Sequence, residues 1–270
     1  MTLAERYDAF LFDLDGVLYR GDRAVPGAVD TVARLRAAGR AVVFMTNNSA
    51  RTPERVATRL REMGFEADPR EVVTSAQVTA ELLAGRGGGS AFVIGEEGVR
   101  TALTASGIDV LDGEPDRADH VVVGWDRGVT YDRLRTACLL VERGAGLVAT
   151  NGDASYPAPD GLWPGAGALL SVITTTTGAR PEIVGKPHAP MFQAASERSG
   201  SSAPLVVGDR LDTDVAGAAA LGIDSLLVLT GVSRPDEIEQ RSGASPTYVA
   251  DDLRGLFADP EPARRSPQSK

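Results

Sequence analysis

Short runs of β-branched and other apolar residues recur along the chain, at 8–14, 41–46, 71–74, 91–95, 120–125, 146–150, 182–185, 204–208, 225–230 and 246–250. Runs of this length, alternating with helix-like stretches, predict an α/β fold on a largely parallel sheet. Between the first two runs, Val29, Val32 and Ala33 share one helical face over residues 27–39, and Gly39 ends the helix. Thr52 and Pro53 mark the N-cap and first position of a second helix, in which Val56, Leu60 and Met63 fall at i, i+4 and i+7 before Gly64. Residues 131–143 repeat the pattern, and Leu134, Cys138 and Val141 lie on one stripe. Cys138 is therefore expected in a core, with no chemistry of its own.

Two stretches of low information, GRGGGS at 85–90 and TTTTGAR at 174–180, read as hinges. The first lacks the Lys-Ser/Thr ending of a phosphate-binding P-loop. The residues between them, 88–178, contain strands and helices of their own, enough for an inserted domain. The expected division is a core of 1–87 and 179–258, a cap of 88–178, and a disordered Pro-rich polar tail at 259–270.

Composition adds exclusions. With 43% hydrophobic, 24% charged and 5% aromatic residues the chain is ordinary for a globular protein. A net charge of −9 argues against a nucleic acid polymer or an anionic membrane as partner, because such partners need clustered Lys and Arg. The lone Cys138 cannot form an internal disulfide, and no Cys/His cluster suits zinc. The N-terminal apolar run is of strand length and ends in acidic residues, unlike a signal peptide or membrane span, so a cytoplasmic protein is expected.

Chemistry concentrates at four strand ends. Asp13 and Asp15 close the first run, two apart and hence able to face one site, with Gly16 following. Taken alone, this is equally a turn. Thr46-Asn47-Asn48-Ser49 ends the second run and offers hydroxyl, amide and backbone N–H groups to an anion, or simply a capped loop. Lys186 ends the run at 182–185, where a surface charge is the plain alternative, and Asp209 ends the run at 204–208. Asp214 follows in the first turn of a helix, whose dipole it would also complement. In open parallel sheets ligands bind beyond the carboxyl ends of strands, so neighbouring strands would bring these residues to one crevice. Four carboxylates there would repel, at about 4 kcal/mol for each pair ~4 Å apart at an effective dielectric of 20. All-oxygen ligation without His or Cys selects a hard cation, Mg2+ above all when a phosphate oxygen shares the shell.

Asp13-Leu14-Asp15-Gly16-Val17-Leu18-Tyr19, Thr46-Asn47-Asn48-Ser49, Gly185-Lys186-Pro187 and Gly208-Asp209-Arg210-Leu211-Asp212-Thr213-Asp214 stand in the order of the haloacid dehalogenase superfamily motifs. The chain most resembles the branch of bacterial NagD-type nucleotide phosphatases, phosphoglycolate phosphatases and para-nitrophenyl phosphatases. The likeness runs to about residue 252 and takes in Tyr156-Pro157, Gly165-Ala166-Gly167 and Leu229-Thr230-Gly231-Val232. It implies a Rossmann-like parallel-sheet core with an inserted α/β cap. It also implies that Asp13 attacks phosphorus, that Asp15 is the general acid and then the base, and that Thr46, the Asn47 N–H and Lys186 hold the phosphoryl oxygens. Mg2+ would be held by Asp13, the Asp15 carbonyl and Asp209, with Asp214 acting through a ligand water. Arg210 receives no role.

A Mg2+-dependent phosphatase of a small phosphorylated metabolite is the expectation; a noncatalytic metabolite-binding or regulatory protein on the same fold is the alternative. Asn151, Asp153, Tyr156, Asp160 and Trp163 are the cap residues set against the substrate, each alternatively an ordinary loop residue. Glycerol phosphate, phosphoglycolate, nucleoside monophosphates, sugar phosphates and pyridoxal phosphate all remain open as substrates. His120 and His188 are expected to be packing and loop residues, and a second copy of the chain, bound through the cap, is the one macromolecular partner considered.

Overall fold

Strands form where the apolar runs predict them. In the computed structural model, which describes residues 1–158, 160–240 and 243–258, they run in chain order as β1 (Ala9–Asp13), β2 (Tyr19–Arg20), β3 (Arg23–Ala24), β4 (Ala41–Thr46), β5 (Val72–Thr74), β6 (Ser90–Ile94), β7 (Asp109–Leu111), β8 (His120–Val123), β9 (Gly146–Ala149), β10 (Ser155–Ala158), β11 (Gly161–Pro164), β12 (Glu182–Ile183), β13 (Pro204–Gly208), β14 (Ser225–Val228) and β15 (Tyr248–Ala250). The tail expected at 259–270 lies outside the described residues.

Contacts divide the chain into two units. The first holds Met1–Met45, Ala57–Val72 and the described residues from Phe192 onward; the second holds Thr46–Val56 and Val73–Met191. A six-stranded sheet in the order β15-β14-β13-β1-β4-β5 centres on the first. Its pairings from β15 through β4 are parallel. Ala9, Phe10, Leu11 and Phe12 are fully buried, as expected of a strand covered on both faces, and this explains why β1 reads as an unbroken apolar run. The base of the sheet is tied by Tyr7, whose hydroxyl donates to Asp224 Oδ2 at 2.5 Å and lies 3.2 Å from the Tyr248 hydroxyl. Burial and the adjacent Asp224 acceptor raise the pKa of that phenol well above its ordinary value.

The second unit carries a five-stranded parallel sheet, β12-β9-β8-β6-β7, whose strands begin at Ser90 and end at Ile183. Phe92, Ile94, Val121, Val123 and Cys138 lie in one of its core clusters, so the packing role expected of the cysteine holds.

Two local readings change. The helix Ala28–Ala37 buries Ala28, Thr31, Val32 and Leu35 while Ala33 faces outward, because the apolar stripe is shifted by Leu35. The run 174–180 is not a hinge from its start: Thr174–Thr177 complete the helix Ala166–Thr177, which Gly178 ends at φ +69. Thr176 and Thr177 hydroxyls donate to the carbonyls of Val172 and Ile173, which satisfies these polar groups within the helix. The hairpins β2–β3 and β10–β11 and the short strand β7 had no apolar run to announce them.

Candidate functional site

β1 and β13 are parallel neighbours with Phe12 opposite Val207, so their C-terminal ends emerge side by side. Asp13 is the last residue of β1, and Asp209 follows β13 directly. One π-helical turn, Leu211–Val215, then carries Asp214. One carboxylate oxygen from each of Asp13, Asp209 and Asp214 belongs to a group whose members all lie within 4.8 Å of one another, and all three residues are buried. The group comes from chain positions 13, 209 and 214, which the β1–β13 pairing and the turn after β13 bring together.

Neighbouring backbone is shaped to this group. Gly16 has φ +85, and a Cβ there would stand 2.5 Å from Asp209 Oδ2. A Cβ on Gly208 would run into the Asp214 side chain. Asp209 Oδ2 accepts the Val232 N–H at 2.7 Å, and its carbonyl accepts the Ser233 N–H at 3.1 Å. Ser233 Oγ in turn accepts the Leu211 N–H at 3.0 Å, and the Thr230 hydroxyl donates to the Gly16 carbonyl at 2.7 Å. The segment Thr230–Ser233 thus braces both acidic loops, a task that Ser233 shares although nothing in its sequence context marks it. Arg210 donates its N–H to Asp214 Oδ2 at 3.2 Å and pairs its side chain with Asp212 at 2.8 Å.

Three like charges at this spacing repel by about 3.5 kcal/mol per pair at an effective dielectric near 20. A cation offsets that repulsion. The donors are carboxylate oxygens, with neither His nor Cys among them, and so fit a hard divalent ion such as Mg2+. Asp15 stands outside the group of three. Its backbone bridges to Tyr19, and its Oδ2 accepts the Tyr19 hydroxyl at 3.4 Å.

The other expected residues form a network within the second unit. Thr46 ends β4, is buried, and accepts the Asn48 N–H on its hydroxyl at 3.0 Å. Asn47 Oδ1 accepts the Lys186 N–H at 2.8 Å, and Asn47 Nδ2 donates to the Lys186 carbonyl at 3.1 Å and to Asp153 Oδ2 at 3.0 Å. Its own carbonyl accepts the Ser75 hydroxyl and the Asn151 amide, each at 2.7 Å. One side-chain amide therefore grips both peptide groups flanking Lys186, whose side chain is itself buried. The sequence pointed to the Asn47 N–H; the structure adds its side chain.

Among the cap candidates, Asn151 and Asp153 join this network, and Asp153 N–H donates to Asn151 Oδ1 at 3.1 Å. The Tyr156 ring lies 4.2 Å from that of Trp125. Asp160 accepts the Trp163 indole N–H at 2.8 Å, on an exposed hairpin. His120 sits at the start of β8 with Nε2 3.2 Å from the Gly88 carbonyl, and His188 is exposed after Lys186.

A family model of haloacid dehalogenase-like hydrolases matches residues 10–109, and a second, HAD-hydrolase-like, matches 183–256. The chain is 39% identical over 260 residues to an acid sugar phosphatase of Staphylococcus aureus, an alignment covering 95% of this chain and 99% of that protein. A glycerol phosphate phosphatase from Mycobacterium tuberculosis, solved in complex with magnesium, superposes with a TM-score of 0.91 at 38% identity, over 96% of this chain and 79% of that one. A 4-nitrophenylphosphatase from Thermotoga maritima gives 0.88 at 34% identity, over 95% and 98%.

Proposed function

Because the chain belongs to the haloacid dehalogenase-like hydrolases, we propose that it is a Mg2+-dependent phosphomonoesterase acting on a small phosphorylated metabolite, with Asp13 as nucleophile. The observation that carries this reading is the buried carboxylate group of Asp13, Asp209 and Asp214 at the ends of adjacent parallel strands. The names of the relatives favour a sugar or glycerol phosphate within that class.

Asp13, Asp209 and the Asp15 carbonyl, with Asp214 behind them, would hold Mg2+, which when bound would supply positive charge against the phosphoryl oxygens. An Asp13 oxygen forms the bond to phosphorus while Asp15 gives its proton to the departing alkoxide. Asp15 then takes a proton from the water that hydrolyses the aspartyl phosphate. Two half-reactions thereby replace one difficult displacement. The Thr46 hydroxyl, the Asn47 N–H and the Lys186 ammonium hold the phosphoryl oxygens, so that positioning and charge do most of the catalytic work. Residues 88–178 serve as the cap that excludes water, on a core of 1–87 and 179–258. The protein works in the cytoplasm without nucleic acid or membrane partners; a homodimer through the cap is its candidate assembly, read out by light scattering.

Phosphate release from para-nitrophenyl phosphate, with Mg2+ and then with EDTA, tests the reading. Activity is expected only with the metal, and none in Asp13→Asn, whose amide cannot form the acyl phosphate. Turnover by Asp13→Asn would refute the mechanism, and an unaltered chain inactive on a broad panel of phosphomonoesters would favour a noncatalytic binding protein.

A further inference from the structure

A cavity of about 450 Å³ opens at the start of β4, and its lining includes Arg36, Arg40, Arg70 and Arg198, with Glu71 as the one acid. All five residues belong to the first unit. The cavity lies at the opposite end of the sheet from the carboxylate group. Ala41 pairs with Ala9 at the start of β1, and Asp13 ends that strand, so four residues of rise put about 13 Å of main chain between the two ends.

Charge is unevenly met here. Arg36 holds both Glu71 oxygens at 2.7 Å, and Arg70 holds Asp68 at 2.7 Å. Among the described residues, Arg40 and Arg198 have no carboxylate within ion-pair distance. Their side chains bond to main-chain carbonyls, Arg40 to Glu5 at a long 3.5 Å and Arg198 to Arg70 at 2.8 Å. The Glu5 carboxylate, which feels the Arg40 charge, accepts the Thr2 N–H at 2.8 Å. Four guanidiniums against Glu71 and Asp68, with Glu5 interacting with Arg40 beyond ion-pair distance, leave a local surplus of positive charge in a chain with 37 acidic and 28 basic residues.

Helix ends account for part of this. Arg36 and Arg198 occupy the last turns of Ala28–Ala37 and Ala189–Ser199, where cations offset the carbonyl ends. Arg40 lies beyond the first helix, in the link to β4, and needs another reason.

We propose that this cavity binds a phosphate dianion, free or carried on a small metabolite, at a site separate from the carboxylate group. Guanidinium forks match tetrahedral oxyanions through paired N–H bonds, a dianion offsets the local positive surplus, and a cavity of this size accommodates a metabolite body behind the phosphate.

Calorimetric titration of the full chain with inorganic phosphate in EDTA tests this. Chelation removes the ion's share of phosphate binding beside Asp13, Asp209 and Asp214, so binding that persists in EDTA and falls in the arginine variants reports the arginine cavity. One phosphate per chain is expected, with at least tenfold weaker binding in the double variant Arg40→Gln/Arg198→Gln and intermediate weakening in Arg40→Lys/Arg198→Lys, which keeps charge but not the fork. Both variants are expected to keep the Mg2+-dependent turnover of the unaltered chain. Glycerol phosphate, titrated under the same chelated conditions, binds more tightly than inorganic phosphate if the natural ligand is an ester and equally if it is the free ion. No binding by the unaltered chain up to roughly 10 mM phosphate, or equal binding by the folded glutamine variant, overturns the proposal. Should the glutamine variant not fold, unchanged binding by the lysine variant overturns it.

Discussion

Asp214→Asn separates a metal centre from a merely packed acidic residue, because the two predict opposite signs. The substitution keeps shape and keeps an oxygen for the Arg210 N–H, but removes one of three charges whose nearest oxygens lie within 4.8 Å. Two of the three pairwise repulsions vanish, nominally about 7 kcal/mol at an effective dielectric of 20. Side-chain rotation and water entry reduce the realised gain to about 1–3 kcal/mol. For a chain of 270 residues each kcal/mol moves the melting point by about 2 °C, so in EDTA the variant should melt about 2–6 °C above the unaltered protein. Saturating Mg2+ shrinks that advantage. At a hundredfold excess over its dissociation constant the ion stabilises the unaltered chain by about 2.7 kcal/mol, and a site short of one carboxylate gains less. Differential scanning calorimetry in EDTA and in Mg2+ reads both numbers. A variant that melts lower by the same amount in both conditions would refute the reasoning and leave Asp214 as a packing residue.

Gly208→Ala pushes a methyl into the Asp214 side chain and should cost about 1–3 kcal/mol in urea unfolding and blunt the thermal response to Mg2+; an unchanged response contradicts the close approach drawn here. Asn47→Ala removes three side-chain hydrogen bonds, two of them to the peptide groups of Lys186, each worth about 1 kcal/mol. Its kcat/KM should fall at least tenfold while the fold persists, and an unaltered kcat/KM would reduce the network to a structural tie. Tyr7 has a folded-state pKa raised by burial and by Asp224, so its contribution to stability is complete below about pH 10, the unfolded value, and fades as pH climbs toward the folded one. Urea midpoints measured at pH 7 and above pH 10 should therefore fall less steeply for Tyr7→Phe than for the unaltered chain, and parallel falls would remove Tyr7 from the account.

What could be read in advance, and what could not, follows from the range of the interactions involved. Asp13 and Asp209 were legible because a parallel sheet turns a one-dimensional signal, an apolar run ending in an acid, into a spatial rule about where strands end. The hairpin β10–β11 was not, since Ser155–Ala158 and Gly161–Pro164 are mostly exposed and carry no alternation that burial would impose. The Thr174–Thr177 run misled for a related reason: low helix propensity was overridden by the buried Leu170 and Ile173 of the same helix and by the Gly178 cap just beyond. Side-chain amides and guanidiniums are harder still. Asn47 and Lys186 are 139 residues apart, and Arg198 reaches the Arg70 carbonyl across 128. In the sequence an arginine balanced by Glu71 and one with no carboxylate within ion-pair distance among the described residues are the same letter; only the folded neighbourhood separates Arg36 from Arg40. A strand-end acid therefore announces itself, whereas an anion site built from arginines in four different segments is detectable only as a local excess of charge after folding, which makes the phosphate titration in EDTA the sharper test of what the structure adds.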